Sequence, residues 1–181
     1  LCKASLKVIK EISYKYPDIL LEDQLCVEWL ELLFKLLQGD FELGVIVAEI
    51  FSALGNACFE AGRNSGYFVG KLDSLIQMII ELTFAKEAST RIPYVSACFG
   101  AVMNMIKAIK SVPKLVENLA VITKALSSTN TITGEHKLAV KEGLFLSALS
   151  TLYTLKRLKV QRSQLNDQVL ASLYQLCAQE C

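Results

Sequence analysis

Few residues in this chain are of types that could do catalytic chemistry. His136 is the only histidine among the 181 residues, and Cys–His catalysis would require it beside a thiol. It lies at the start of a predicted helix between Glu135 and Lys137, a position typical of a solvated surface histidine. We therefore expect no catalytic role for His136 and predict that the chain is not an enzyme.

The six cysteines do not form a recognisable metal-binding or disulfide pattern. Cys177 and Cys181 are four residues apart on one helix face, which is half of a zinc site, but no second Cys or His pair completes it. Four other cysteines occur singly on apolar helical stripes, where cysteine behaves as a small hydrophobe. We expect no metal and no cofactor, and reduced thiols typical of an intracellular protein, cytoplasmic or nuclear.

One glycine-rich segment superficially resembles a phosphate-binding loop. The stretch Gly62-Arg63-Asn64-Ser65-Gly66 lacks the Gly-Lys-Ser/Thr ending and a preceding strand, both of which a phosphate loop requires. We interpret it as a turn between two helices.

Charge is distributed unevenly along the chain. Residues 1–90 contain 8 basic and 13 acidic side chains, whereas residues 91–181 contain 11 basic and 5 acidic. Basic residues concentrate near predicted helix turns, and if these turns align they form a positive ridge: Lys107, Lys110, Lys114, Lys156, Arg157, Lys159 and Arg162. The ridge could bind an acidic peptide or nucleic-acid phosphates, or its lysines could simply complement helix dipoles. Nucleic acid is the weaker binding hypothesis, because the ridge lacks interleaved aromatic residues.

The elements that would position these side chains are helices. Apolar periodicity, prolines and glycines predict eight of them in four consecutive pairs, at about 1–14, 22–37, 41–61, 67–86, 89–111, 114–126, 135–159 and 164–181. The polar run 127–134 is predicted to be a loop. No uncharged run reaches the length that crosses a bilayer, so we expect no membrane insertion.

A pattern recurs along these helices. Phe51–Asn56, Phe99–Asn104 and Leu146–Thr151 follow one another at steps of 48 and 47 residues. Small residues mark the first helix of each pair, among them Gly55, Gly100 and Gly143, and would allow close helix contacts. Apolar ladders recur in the second helices: Leu25, Trp29, Leu33 and Leu36; Leu72, Ile76, Ile80 and Thr83; Leu115, Leu119, Thr123 and Leu126; Leu165, Val169, Leu173 and Leu176.

On this step, the paired helices and the small-residue stripe, the chain resembles HEAT and armadillo-type repeat proteins. The resemblance implies an all-α fold, an α-solenoid of about four helix pairs in a single domain over 1–181. Regular prolines and the Asp and Arg pair of the HEAT turn are missing, so a globular eight-helix bundle is the alternative. Both ends are expected to continue into a longer protein, with adjoining repeats of the same parent chain as neighbours.

Such an architecture favours a non-catalytic scaffold that binds another protein. The second helices are expected to line the concave face, and their polar residues are the candidate contacts: Glu28, Glu31, Lys35, Asp73, Gln77, Glu81, Asn118, Lys124, Asp167 and Gln168. The alternative function is a nucleic-acid-associated repeat domain that uses the positive ridge. Trp29 is predicted to pack in the core rather than to contact a partner.

Overall fold

The structure, a computed structural model, describes residues 3–60 and 66–160 together with four single positions, Asp167, Ala171, Tyr174 and Ala178. Over this part of the chain the fold is all-α, as predicted. The predicted helix at 164–181 is represented only by these four single positions. The candidate contacts Arg162 and Gln168 lie outside the described residues.

The described residues form eight α-helices and two short 3₁₀ turns. The helices are α1 (Lys3–Lys15), α2 (Pro17–Leu21), α3 (Asp23–Gly39), α4 (Phe41–Glu60), α5 (Gly66–Thr83), α6 (Ile92–Ala108), α7 (Val112–Ser128) and α8 (Gly134–Arg157). The 3₁₀ turns are Lys86–Thr90 and Thr129–Thr131. The short helix α2 was not predicted as a separate element.

Local sequence explains several helix starts. Proline occupies the first turn of α2, α6 and α7, where its missing N–H costs nothing and its fixed φ suits the helix. Asp40 caps α4 as predicted, because its Oδ1 accepts hydrogen bonds from the backbone N–H groups of Glu42 and Leu43 at 2.9 and 3.0 Å.

Helices α1, α4, α6 and α8 lie side by side in that order and form what we call the first row. Lys3 pairs with Glu42 at 2.9 Å, and Lys10 pairs with Glu49 at 2.6 Å. The two lysines are seven residues apart on α1, and their two partners are seven residues apart on α4. This constant offset shows that α1 and α4 run parallel.

The same parallel arrangement continues along the first row. Asn104 donates to the Ser52 hydroxyl between α6 and α4, and Ser150 donates to the Met103 carbonyl between α8 and α6. The contacting residues are separated by 52 and 47 positions, close to the step in the sequence.

Helices α3, α5 and α7 form a second row. Each packs chiefly on the first-row helix that follows it in the chain: α3 on α4, α5 on α6 and α7 on α8. The predicted pairs, such as 41–61 with 67–86, are therefore offset by one helix from the observed ones. Apolar periodicity identifies the buried stripe of a helix but not which neighbour covers it, whereas the short connection through Asp40 brings α3 and α4 together.

Close approach in the first row depends on two of the predicted small residues. A Cβ at Gly55 would lie 2.8 Å from the backbone of Asn104 and Met105, and one at Gly143 would lie 2.1 Å from the Phe99 ring. Gly100, in contrast, has open space where a Cβ would stand. Glycine is thus required for helix contact at two of the three positions.

The predicted ladders are confirmed in α5 and α7, where all eight side chains are buried. In α3 the ladder is wrong by one residue at three positions. The buried residues are Cys26, Leu30, Leu33 and Leu37, while Leu25 is 46% exposed. Trp29 packs on the core with its ring partly buried, and its Nε1 donates to the Leu20 carbonyl at 2.9 Å.

The predicted loop at 127–134 is largely folded, so that prediction is wrong. Helix α7 continues to Ser128, and the 3₁₀ turn follows directly. Hydroxyl groups extend the helical path by donating to carbonyls three or four residues earlier, as Thr129 does to Leu126 at 2.7 Å.

Among the described residues, α4 alone is long and apolar enough to cross a membrane by length and composition. Over half of that span, 56%, is buried inside the fold. Its neighbours α1, α3 and α6 cover it, and Glu49 in its middle is ion-paired with Lys10. These contacts account for its apolar composition as that of a central core helix.

Candidate partner-binding groove

A groove of about 410 Å³ separates α5 from α7 on the second row. Its floor is apolar and comprises Ile80 and Phe84 from α5 and its C-terminal end, with Val121 and Ala125 from α7. Its rim is polar and comprises Gln77, Glu81, Lys124 and Ser128. The structure thus brings together Gln77, Glu81 and Lys124, three of the residues predicted to contact a partner.

A polar cluster joins α5 and α7 about one helical turn before the groove begins. Lys114 at the start of α7 pairs with Asp73 of α5 at 2.6 Å. The Nδ2 of Asn118, a buried residue, donates to Asp73 Oδ1 and to the Lys114 carbonyl, both at 2.9 Å. These contacts hold α5 and α7 together at this point, and the groove opens beyond it toward the C-terminal ends of both helices.

This cluster corrects the placement of Lys114, which was predicted to belong to the positive ridge. Its ammonium group is instead neutralised by Asp73, so neither side chain is a free contact. Sequence spacing placed Lys114 near a turn but could not indicate that the first turn of α7 lies against α5.

The groove rim carries one charge of each sign on opposite walls. Glu81 projects from α5 and accepts a hydrogen bond from Gln77 Nε2 at 3.0 Å. Lys124 projects from α7, and its side chain is exposed with no ion pair to the described residues. The groove therefore combines an apolar floor with a negative charge on one wall and a positive charge on the other.

The other second-row candidates lie away from this groove. Glu28, Glu31 and Lys35 are exposed on α3, and Asp167 is exposed at its single described position. Sequence reasoning missed Phe84, Val121 and Ala125, which form part of the floor. The sequence signal for two of them was helical spacing, because Val121 and Ala125 are four residues apart on α7, just as Gln77 and Glu81 are on α5.

The positive ridge is only partly assembled. Arg157, at the end of α8, donates to the Lys107 carbonyl at 3.2 Å and lies over the Phe59 ring at 4.2 Å. Lys107 donates to Asn104 Oδ1 at 2.9 Å. Both residues lie in the last turn of their helix, and Arg157 also binds a carbonyl at the C-terminal end of α6, which favours the helix-dipole interpretation for Lys107 and Arg157.

The remaining described ridge residues are Lys110, Lys156 and Lys159, all exposed. Lys159 lies two residues beyond the end of α8 and has a φ of 55°. The Val160 N–H reaches back to the Leu155 carbonyl at 3.3 Å, which is the Schellman arrangement that usually places glycine at this left-handed position.

His136 is buried, with 5% of its surface exposed, so the prediction of a solvated side chain is wrong. Its Nε2 donates to the Thr83 carbonyl at 2.7 Å and so links the start of α8 to the end of α5. The helix-start position suggested solvent, but α8 contacts the 3₁₀ turn at Lys86–Thr90 and its first turn reaches Thr83. His136 therefore has a structural hydrogen bond.

The described cysteines Cys26, Cys58 and Cys98 are all buried. Burial raises the pKa of Cys98 to about 12, which keeps it protonated and non-nucleophilic at neutral pH. No group of three or more potential metal ligands occurs among the described residues. Cys177 and Cys181 lie outside them.

A second cleft of about 410 Å³ lies where the chain passes from α1 into α2 over the C-terminal half of α4. Tyr14, Asp18, Asn56 and Glu60 are among its lining residues. None of the predicted contacts lines it, whereas three of them line the groove between α5 and α7.

Comparison with family models, with curated proteins and with solved structures finds no match to this chain.

Proposed function

We propose that this chain is a non-catalytic scaffold of the α-solenoid type that binds another protein through its second row of helices. The observation that carries the proposal is the open groove between α5 and α7, where an apolar floor is rimmed by Gln77, Glu81 and Lys124. Apolar clefts with a few convergent polar groups are the usual form of binding sites.

The helix contacts support the solenoid part of the proposal. The helices of the first row run parallel, and contacts join its neighbours at offsets of 39, 52 and 47 residues, as stacked helix pairs would produce. HEAT and armadillo-like repeats are built in this way. The resemblance of this chain to them rests on the steps of 48 and 47 residues in its sequence. Cysteines that are buried singly within helices accord with an intracellular location.

The nucleic-acid alternative receives less support. Lys114 is paired with Asp73, and Arg157 is engaged with a backbone carbonyl and an aromatic ring. Helix C-termini carry partial negative charge, so the basic residues at the ends of α6 and α8 first offset that charge. An exposed phosphate-binding surface would need these cations to be free.

A capture experiment with matched charge reversals tests the proposal. The immobilised chain, a Glu81→Lys variant and a Lys156→Glu/Arg157→Glu variant would each be incubated with lysate, with and without nuclease treatment. We expect proteins retained by the native chain and by the Lys156→Glu/Arg157→Glu variant to be depleted on Glu81→Lys. Retention that disappears with nuclease, or with the ridge variant alone, would contradict the proposal.

A further inference from the structure

We propose that the groove between α5 and α7 binds a short amphipathic helix of its partner, with a basic residue facing Glu81 and an acidic residue facing Lys124. This inference rests on the protein-binding function proposed above and specifies the chemistry of the ligand. It follows from three features of the groove: the state of its backbone, its length and its charges.

The backbone around the groove favours a helical ligand. Ile80, Val121 and Ala125 belong to α-helices, whose N–H and C=O groups already bond within each helix. No strand edge occurs among the described residues, so an extended peptide would find no backbone partners and would bury unpaired polar groups. A helix brings its own backbone hydrogen bonds and can fill an apolar groove with side chains alone.

The length of the groove sets the spacing of those side chains. The α5 wall of the groove runs from Gln77 to Phe84 and begins one helical turn beyond the Asp73–Lys114 pair. Seven helical residues extend about 10 Å, or two turns. The ligand should therefore present apolar residues from two successive turns, spaced three or four positions apart on one face.

The charges of the rim determine which charged residues the two flanks of the ligand helix should carry. Glu81 and Lys124 lie on opposite walls above the shared floor. A ligand with two basic flanks would meet Lys124, and one with two acidic flanks would meet Glu81, so each would suffer one repulsion. A helix with one flank of each sign pairs with both walls, which is the kind of complementarity that gives an interface its specificity.

Three synthetic peptides test this inference directly. Each would have about 16 residues, long enough to form helix, with the same stripe of leucines, and they would differ in flanks that are mixed, all-lysine or all-glutamate. Binding would be measured by fluorescence anisotropy at low salt, where exposed charges are least screened. We expect the native chain to bind the mixed peptide about three- to tenfold more tightly than either of the others.

Two charge variants sharpen the test, because each gives the rim a single sign. Glu81→Lys should make the all-glutamate peptide the tightest ligand, and Lys124→Glu should make the all-lysine peptide the tightest. Glu142→Lys, at an exposed position on first-row helix α8 outside the groove, is the matched control and should keep the preference of the native chain. Circular dichroism would confirm that each variant is folded.

Two results would overturn the inference. One is the failure of every leucine-striped peptide to bind the native chain, and the other is a preference order that Glu81→Lys and Lys124→Glu leave unchanged. If, in either case, Glu81→Lys still lost a protein partner from lysate, the proposed function would stand and only the helical, mixed-charge ligand would be wrong.

Discussion

Gly143 of α8 lies directly against the ring of Phe99 in α6, with no room for even one more carbon between them. A Cβ at residue 143 would be 2.1 Å from the Cδ2 atom of Phe99. Phe99 is itself buried, so the ring has little space in which to move. The spacing of α6 and α8 in the first row thus depends on a residue without a side chain.

We therefore predict that Gly143→Ala and Gly55→Ala lower the free energy of unfolding, each by about 1–3 kcal/mol, through overpacking. Gly100→Ala is the matched control on α6. With open space at that position, it should raise the free energy by up to ~1 kcal/mol through helix propensity. Urea unfolding of the three variants checks the contrast, and equal effects at all three positions would refute the close-contact explanation.

His136→Ala should lower the free energy of unfolding by about 1–3 kcal/mol, because the buried Thr83 carbonyl loses its side-chain donor. His136→Gln keeps an N–H donor and should recover part of the loss. The comparison would be made by thermal and urea unfolding. If alanine at this position left stability unchanged, the hydrogen bond between α8 and α5 would not exist in solution.

Stability should decrease at alkaline pH because of Cys98. Burial raises its folded pKa from 9.0 to about 12, so between these values the unfolded thiol loses its proton while the folded thiol keeps it. This contribution is fully present below pH 9 and is lost as pH approaches 12, at up to ~1.4 kcal/mol per pH unit. Burial also raises the pKa of Tyr94, which adds a loss of the same sign.

The check is the slope of unfolding free energy against pH in the native chain and in Cys98→Ala. The variant should lose stability overall through its cavity, yet its stability should fall less steeply from pH 9 upward. Equal slopes would show that the Cys98 thiol is not shielded from solvent in the folded state.

Lys159→Gly should stabilise the end of α8. Lys159 has a φ of 55°, a left-handed conformation that costs non-glycine residues roughly 1–2 kcal/mol. Lys159→Gln removes the charge but keeps the strain, so it separates the two effects. We expect a higher urea midpoint for glycine than for either lysine or glutamine, and a midpoint for glycine at or below that of glutamine would refute the strain.

Local sequence signals predicted most of the helices and their starts. Asp40 and the prolines act within one turn of their own position, so their effects can be read without tertiary structure. The apolar stripe of α3 was misplaced because Leu25 and Cys26 are adjacent apolar residues, and either fits a helical ladder. Only the packing of α3 on α4 decides that Cys26 turns inward.

The candidate site was predictable only in part. Gln77, Glu81 and Lys124 were identified because they are polar residues on second-row helices. The groove itself arises from the gap between α5 and α7, which the Asp73–Lys114 contact helps to set across 41 positions of sequence. No periodicity within one helix contains that information, and the same holds for the burial of His136 against the distant Thr83.

The most direct test of partner binding on the second row is site-specific photo-crosslinking in cells. A photoreactive amino acid would replace Gln77 on the groove rim or, as a matched control, the exposed Ser96 on first-row helix α6. We predict discrete protein adducts, insensitive to nuclease, from position 77 but not from position 96. Adducts from position 96 alone, or nucleic-acid adducts from position 77, would contradict the claim that this protein is a scaffold whose second row holds a protein partner.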